Sequence, residues 1–165
     1  MEQRIVAKPL TSQAFAPFGD VIEAEGSPDR LINAGLCGRF HDRARLDFGD
    51  GRAGISVFDA QARAWPLRVD LVERHPEGSQ AFMPISGARM IVVVARDEGG
   101  KPEDYQAFVS QPGQVVNLLR GTWHGVLAPL GERGQFAVLD RIGEGANLEE
   151  FMLDPPLWVE PGDGV

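Results

Sequence analysis

Two short segments of the chain carry side chains suited to proton transfer or metal binding. The first contains Glu73, His75 and Gln80, and the second contains Trp123 and His124. Carboxylates and imidazoles ligate borderline divalent cations, and histidine also exchanges protons near neutral pH. In a closed antiparallel barrel the two segments lie opposite each other, so side chains distant in sequence share one pocket. These residues therefore predict a metal site with Glu73, His75, Gln80 and His124 as candidate ligands.

The first segment ends a predicted strand, and the period of that strand sharpens the prediction. Side chains alternate across a β-strand, so Leu67, Val69, Leu71, Glu73 and His75 are expected on one face. The row is apolar until its last two members. We therefore expect a carboxylate and an imidazole at the mouth of an apolar interior.

Each candidate also has an ordinary structural interpretation. Glu73 can be an exposed charge at a strand end, and His75 can bond to the turn that follows it. Gln80 is a poor metal ligand beside a carboxylate, so a hydrogen bond to substrate or backbone is an equal alternative. His124 can pack against Trp123. Sequence reasoning leaves these alternatives open.

Residues outside the two segments suggest little further chemistry. The remaining histidine, His41, is expected to pair with Asp42 in a loop rather than to bind metal. Cys37 is the one cysteine, so neither an internal disulfide nor a thiolate metal site is expected, which fits a reducing cytoplasm.

Composition limits the class of protein and its partners. A length of 165 residues fits a single domain spanning 1–165. With 24 acidic against 16 basic residues the net charge is −8, which repels nucleic acid. The longest apolar run, Met90–Ala95, is too short for a bilayer, and the N-terminus lacks the apolar core of a signal peptide. We expect a cytoplasmic protein that binds a small molecule and neither nucleic acid nor membrane.

The elements that must position the site read as β-strands. The 20 glycines and 12 prolines divide short runs of Val, Ile, Phe and Leu, with no long helical period between them. We predict antiparallel strands at Arg4–Ala7, Asp20–Glu23, Gly54–Phe58, Leu67–Arg74, Gln80–Met83, Met90–Ala95, Ala107–Ser110, Gln114–Asn117 and Gln135–Asp140. One short helix is expected after Thr11 and Ser12, through Phe15 to Phe18, with either hydroxyl as its N-cap. The charged stretch Arg96–Asp104 is expected to be a solvated loop, and the tail from Asp154 to be extended.

The spacing of the chemical residues resembles the two cupin motifs in degenerate form. His75, Gln80 and Gly87 fit the first motif, and Gly113, Gly121 and His124 fit the second. In this comparison Glu73 replaces a leading histidine and Gln80 a glutamate, while Leu119 replaces a proline and Ala128 an asparagine.

A closer resemblance covers nearly the whole chain and is to the ureidoglycolate lyase family of the allantoin pathway. The matching stretches are Phe18-Gly19-Asp20-Val21-Ile22, Ile32-Asn33-Ala34-Gly35, Arg39-Phe40-His41-Asp42, Glu73-Arg74-His75-Pro76, Gln80-Ala81-Phe82-Met83-Pro84, Trp123-His124 and Asp140-Arg141. Members often carry a histidine and a proline where this chain has Gly125 and Val126. That departure removes a candidate base or ligand.

The resemblance implies an all-β fold, a cupin-like antiparallel β-barrel (jelly-roll) with one or two short helices, usually a homodimer. It also implies a lyase that splits (S)-ureidoglycolate into glyoxylate and urea, with nickel or another divalent cation and no organic cofactor. A hydrolase that also releases ammonia, and a non-catalytic cupin that binds small oxo or hydroxy acids, are the alternatives.

The implied chemistry assigns roles to particular residues. Elimination of urea needs a base and an acid, for which the candidates are His124, Glu73 and His75. The carboxylate of the substrate needs a cationic or donor partner, for which Arg39, Arg141 or the metal itself qualify, with Asn33 and Gln80 as further substrate-binding candidates. Alternation along its strand points Arg74 away from this pocket.

Overall fold

Short β-strands form almost all of the regular structure, as the spacing of glycine and proline predicts. The computed structural model describes residues 2–165. In chain order the elements are β1 (Gln3–Val6), β2 (Lys8–Pro9), α1 (Ser12–Phe15), β3 (Gly19–Ile22), β4 (Arg30–Ile32), β5 (Cys37–Arg39), β6 (Arg52–Ala60), β7 (Leu67–Arg74), β8 (Gln80–Pro84), β9 (Met90–Glu98), β10 (Lys101–Val109), β11 (Val115–Leu118), β12 (Trp123–Gly125), β13 (Ala128–Pro129), β14 (Gly134–Ile142) and β15 (Glu149–Glu160). No helix in residues 2–165 has the length and apolar character needed to cross a bilayer.

The strands form two sheets that enclose a common core. The larger sheet has the order β1-β15-β7-β12-β9-β10-β2, with β13 also paired to β9, and the smaller has the order β3-β11-β8-β14-β6. A separate hairpin, β4–β5, belongs to neither sheet. This arrangement is a cupin-like, nearly closed β-barrel, so the predicted all-β fold is confirmed.

Most strand pairs are antiparallel, but two are not. β1 pairs with β15 and β2 pairs with β10 in parallel. Both exceptions are short N-terminal strands that join strands far along the chain. No tight turn connects the partners, so nothing forces the antiparallel direction that hairpins require.

The apolar core occupies both faces of the central strand β9. Met90, Val92 and Val94 belong to a cluster that lies between the two sheets. Ile91 and Val93 belong to a second cluster, built from residues of the larger sheet and its flanking segments. A strand that is buried on both faces reads as a continuous apolar run, which is the pattern of Met90–Ala95.

All nine predicted strands are present, with ends displaced by up to six residues. α1 begins after Thr11, whose hydroxyl accepts a hydrogen bond from the Ala14 amide at 3.2 Å, and it ends at Phe15, before the predicted Phe18. The expected loop Arg96–Asp104 is wrong. β9 and β10 run almost to each other, and only Gly99 and Gly100 turn the chain, both with positive φ. A two-residue hairpin needs this backbone conformation, and glycine adopts it without strain. The charged residues of this stretch therefore lie at the exposed end of the β9–β10 hairpin and not in a loop.

The predicted apolar row on β7 is also wrong in part. Val72 packs in the same cluster as Leu67 and Val69, although simple alternation puts it on the opposite face. The pairing of β7 with β15 is irregular between Met152 and Leu157, where extra residues on β15 interrupt the ladder. Next to this irregularity the alternation of buried and exposed residues on β7 also breaks, at Leu71 and Val72. Glu73 therefore does not share a face with the apolar residues that begin the strand.

Candidate metal and acid–base site

The three-residue strand β12 brings His124 beside Glu73. His124 pairs directly with Glu73 of β7 on one side and with Val94 of β9 on the other. Directly opposed residues in neighbouring strands project to the same face, so His124 and Glu73 both face the space between the sheets. Trp123 projects the other way, into the second apolar cluster. Packing against Trp123 therefore does not explain the position of His124.

Glu73, His75 and His124 form a cluster that is able to hold a metal ion. Each offers one ligand atom, and these atoms lie within 4.8 Å of one another. The imidazole rings of His75 and His124 are 5.3 Å apart, centroid to centroid. The two chemical segments of the sequence thus meet in one place, and we call these three residues the site cluster.

His124 is buried and neutral. Its residue exposure is 3%, and it borders an apolar cavity lined by Phe82, Val116 and Leu118. Burial lowers the pKa of His124 from 6.5 to about 4, because an apolar surrounding disfavours the charged form. Nδ1 lies 2.9 Å from the Gly125 carbonyl oxygen, so Nδ1 donates and Nε2 carries a lone pair. Within residues 2–165 no group bonds to Nε2.

His75 faces an oxygen atom at each ring nitrogen. Nδ1 lies 2.8 Å from the backbone carbonyl oxygen of Asn147, and Nε2 lies 3.1 Å from Oε1 of Gln80. Both partners accept hydrogen bonds, so the doubly protonated imidazolium satisfies both contacts. Loss of the Nε2 proton exposes the lone pair that a metal ion requires.

Burial raises the pKa of Glu73, since the carboxylate is partly removed from water. The neighbouring His75 opposes this effect, and Glu150, directly opposite Glu73 on β15, adds to it. A carboxyl group with a raised pKa exchanges protons closer to neutral pH, which suits an acid–base role.

Gln80 is oriented by a carboxylate behind it. Its Nε2 donates to Oδ2 of Asp140 at 3.2 Å, while its Oε1 faces His75. Gln80 and Asp140 are a direct pair between β8 and β14. The amide donor of Gln80 is thus used within the protein, and its oxygen is the atom turned toward the site cluster.

The donor set fits a divalent cation. In metalloproteins a ligating histidine commonly donates one ring N–H to a backbone carbonyl and binds metal through the other nitrogen. His75 and His124 both have their Nδ1 atoms against backbone carbonyl oxygens. The lone pair of His124 Nε2 has no partner within residues 2–165 and is buried, an arrangement that a cation would satisfy.

The candidate substrate-binding residues on the β4–β5 hairpin lie apart from the two sheets. Asn33 is exposed and adopts a positive φ of 55° in the hairpin turn. Arg39 is exposed on β5, and its Nη2 lies 2.9 Å from Nδ1 of His41. Among residues 2–165 neither side chain hydrogen-bonds to the site cluster. The expected pair of His41 with Asp42 is replaced by this contact, because Asp42 itself turns the chain with a φ of 49°.

Arg141 is buried in a slot between glycines. Its exposure is 8%, and a Cβ on Gly51 or Gly143 would collide with its side chain. One guanidinium nitrogen, Nη2, donates to Asp50 at 2.6 Å and to the Glu144 carbonyl oxygen at 3.2 Å. Arg141 therefore ties together the two loops that follow β5 and β14.

Two predictions about orientation have clear outcomes. Arg74 points away from the site cluster as predicted, bonding to Glu149 and Asp97 and stacking 4.4 Å above the ring of Trp123. At Gly125 an added Cβ would meet Val93, on the face opposite His124. A histidine at position 125 would thus begin on the other side of the strand, so its absence takes no ligand from the site cluster.

Sequence reasoning missed three residues that bond to, or lie opposite, the candidate ligands. Asn147 accepts from His75, Asp140 accepts from Gln80, and Glu150 lies opposite Glu73. Asp140 stood within a stretch that matched the family, which was a usable signal. Asn147 acts through its backbone carbonyl, and no side-chain pattern reveals that role.

Comparison with known proteins gives a consistent result along the whole chain. Residues 2–160 match the family model described as ureidoglycolate lyase. A protein of Rhodobacter capsulatus named ureidoglycolate lyase is 62% identical over 159 residues, covering 96% of this chain and 99% of its own. A ureidoglycolate lyase of Chelativorans sp. is 50% identical, covering 93% and 94%, and ureidoglycolate lyase 2 of Rhizobium meliloti is 46% identical, covering 93% and 95%. Among solved structures, vicilin from tomato aligns with a TM-score of 0.42 at 20% identity, over 69% of this chain and 29% of vicilin.

Proposed function

The chain belongs to the ureidoglycolate lyase family, and we propose that it cleaves (S)-ureidoglycolate to glyoxylate and urea in allantoin degradation. The observation that carries the proposal is the match to relatives named for this activity over 93% or more of both chains. The site cluster supports it, because the reaction is a proton-transfer elimination and the cluster gathers a base and two groups that can donate protons.

The elimination has two proton movements. A base takes the proton of the substrate hydroxyl, the oxygen electrons form the carbonyl of glyoxylate, and the C–N bond breaks. An acid delivers a proton to the departing nitrogen, which completes urea. We assign the base to His124, whose neutral ring holds a buried lone pair at Nε2. Glu73 or His75 then supplies the second proton.

A divalent cation fits the same residues. We propose that Glu73, His75 and His124 hold it, with Oε1 of Gln80 as the fourth protein ligand and nickel as the ion. Because Nε2 of His124 would then bind the ion, the base role would pass to Glu73. When bound, such an ion lowers the pKa of a coordinated hydroxyl group and orders the oxygen atoms of the substrate.

The carboxylate of the substrate needs a cationic partner, which we assign to Arg39 with Asn33 beside it on the hairpin. Arg39 is exposed and its one side-chain contact is to a histidine, so its guanidinium is accessible. Arg141 is the alternative. Its Nη2 binds Asp50 and the Glu144 carbonyl oxygen, while its Nε is buried and has no hydrogen-bond partner within residues 2–165.

Product analysis tests the proposal directly. Protein stripped with chelator is supplied with nickel, manganese or zinc, and racemic ureidoglycolate is added. A lyase releases glyoxylate and urea in equal amounts without ammonia, whereas ammonia release would identify a hydrolase. Tight binding of small oxo or hydroxy acids with no turnover would identify a binding protein, and turnover without metal would overturn the metal assignment alone.

We also propose that residues 1–165 act as one cytoplasmic domain and assemble as a homodimer. Among residues 2–165, β1 ends the larger sheet and pairs with β15 alone, which leaves its other edge available to a second copy. Light scattering on the gel-filtered protein gives the mass in solution. A monomeric mass at working concentration would overturn the dimer.

A further inference from the structure

The amide of Gln80 connects the site cluster to a carboxylate outside it. Oε1 of Gln80 lies 3.1 Å from His75 Nε2, and Nε2 of Gln80 lies 3.2 Å from Oδ2 of Asp140. Gln80 is 5% exposed, so water has little access to either end of the amide. Both ends of this buried group must therefore find their partners within the protein.

The two ends of a glutamine amide have nearly the same shape and differ mainly in hydrogen bonding. A carboxylate only accepts, so Asp140 selects the NH2 end of Gln80. The carbonyl end must then point to His75. Nothing else in the contacts of Gln80 makes this choice, because an imidazole nitrogen bonds to either end depending on its proton.

We propose that Asp140 is a positioning residue, whose carboxylate fixes the amide of Gln80 so that only its oxygen faces the site cluster. An amide oxygen is a metal ligand and an acceptor for a substrate donor, whereas a protonated amide nitrogen is neither. Asp140 touches no member of the site cluster and acts through Gln80. The role in turnover rests on the proposed lyase function, and the role in orientation does not.

The first variant keeps the shape of the Asp140 side chain and removes its preference for the NH2 end of Gln80. Asp140→Asn presents an oxygen and an NH2 to Gln80, so either amide orientation forms a hydrogen bond. We expect the affinity of the chelator-stripped protein for Ni²⁺, measured by calorimetry, to fall about tenfold to hundredfold, the usual effect of losing an outer-shell partner. Unchanged Ni²⁺ affinity would overturn the role of Asp140 in metal binding.

A second pair of variants separates positioning from general damage. Gln80→Glu alone places two carboxylates in contact, which repel each other. Combining it with Asp140→Asn restores a donor and an acceptor with reversed polarity, and an oxygen again faces His75. We expect the double variant to bind Ni²⁺ more tightly than Asp140→Asn. No recovery, with all proteins folded by circular dichroism, would contradict positioning.

A metal-free measurement decides the case in which the wild type binds no Ni²⁺. The ¹⁵N chemical shifts of the His75 ring report whether Nε2 carries a proton. In the wild type Nε2 faces an oxygen and is a donor, while in Asp140→Asn the NH2 of Gln80 is free to turn toward it. We expect the Nε2 signal to move toward the unprotonated value, and identical spectra would overturn the proposal.

The matched control is Asp59→Asn. Asp59 is also an aspartate in the smaller sheet. It lies on β6 opposite Gln135, at the far end of β14 from Asp140, and its carboxylate binds Arg133. It should leave Ni²⁺ affinity and the His75 spectrum unchanged. An inactive wild type with the expected binding and spectral changes would refute the lyase and keep the role of Asp140. If the wild type is active but Asp140→Asn changes neither the Ni²⁺ affinity nor the His75 spectrum, the lyase is supported and the role of Asp140 is refuted.

Discussion

The site cluster and the β4–β5 hairpin both supply candidate functional residues, but the protein fixes them in different ways. His124 lies on a strand paired on both sides, so backbone register sets its position against Glu73. Asn33 and Arg39 lie on a two-stranded hairpin that joins neither sheet, and their side chains are exposed. Groups held by paired strands suit a reaction that needs fixed distances, whereas exposed groups suit the capture of a substrate.

The largest expected effect on activity comes from the removal of the His124 side chain. We expect His124→Ala to lower kcat/KM by about 10²–10⁴-fold, the usual contribution of a general base. The melting temperature should change little, because the substitution also removes a buried nitrogen that lacks a partner. Steady-state kinetics and thermal denaturation measure the two effects.

Val138→Ala is the matched control, since Val138 is fully buried in the cluster between the sheets. It should cost about 2 kcal/mol of stability through the cavity it leaves, with kcat retained. If His124→Ala loses stability and activity in the same proportion as this control, His124 is a packing residue.

The second effect is the loss of stability on acidification that the buried His124 adds to that of the other titrating groups. The pKa of His124 falls from 6.5 in the unfolded chain to about 4 in the folded protein, so the unfolded state binds the proton more readily. The resulting stability is fully present above pH 6.5 and is lost as pH falls toward 4, a change of roughly 3 kcal/mol. Glu73 acts in the opposite sense, because its raised pKa favours the folded state at low pH.

The measurement compares metal-free wild type with His124→Gln in urea between pH 7 and pH 4. The other titrating groups are present in both proteins, so the difference in unfolding free energy isolates His124. We expect the wild type to lose more stability on acidification. Parallel curves would show that the ring is accessible to water, and the contrast with the exposed hairpin would disappear.

The smallest expected effects distinguish the two arginines. Arg39→Ala should raise KM about tenfold with kcat and melting temperature unchanged, because an exposed guanidinium contributes mainly to substrate capture. Arg141→Ala should lower stability by about 1–3 kcal/mol, since Arg141 is buried and holds two loops through Asp50 and Glu144. If Arg141→Ala raises KM and Arg39→Ala does not, the substrate carboxylate binds at Arg141 rather than at the hairpin.

Much of the fold and part of the site follow from local patterns. The apolar runs between glycines and prolines predicted nine strands, and the hydroxyls of Thr11 and Ser12 predicted the start of the helix. Strand β12 was missed because three residues are too few for a period. The phase of β7 was wrong because its alternation breaks at Leu71 and Val72, beside an irregular pairing with β15 that no local window contains.

The sequence by itself determined which chemical groups the protein has and that alternating apolar strands enclose them, since residue type and period are local properties. Only the tertiary structure decided that His124 lies directly opposite Glu73, that His75 lies between Asn147 and Gln80, and that Asp140 lies behind Gln80. Those contacts join residues separated by up to 72 positions. Their geometry depends on the register of paired strands and on the burial that moves the pKa values, and both are properties of the assembled barrel.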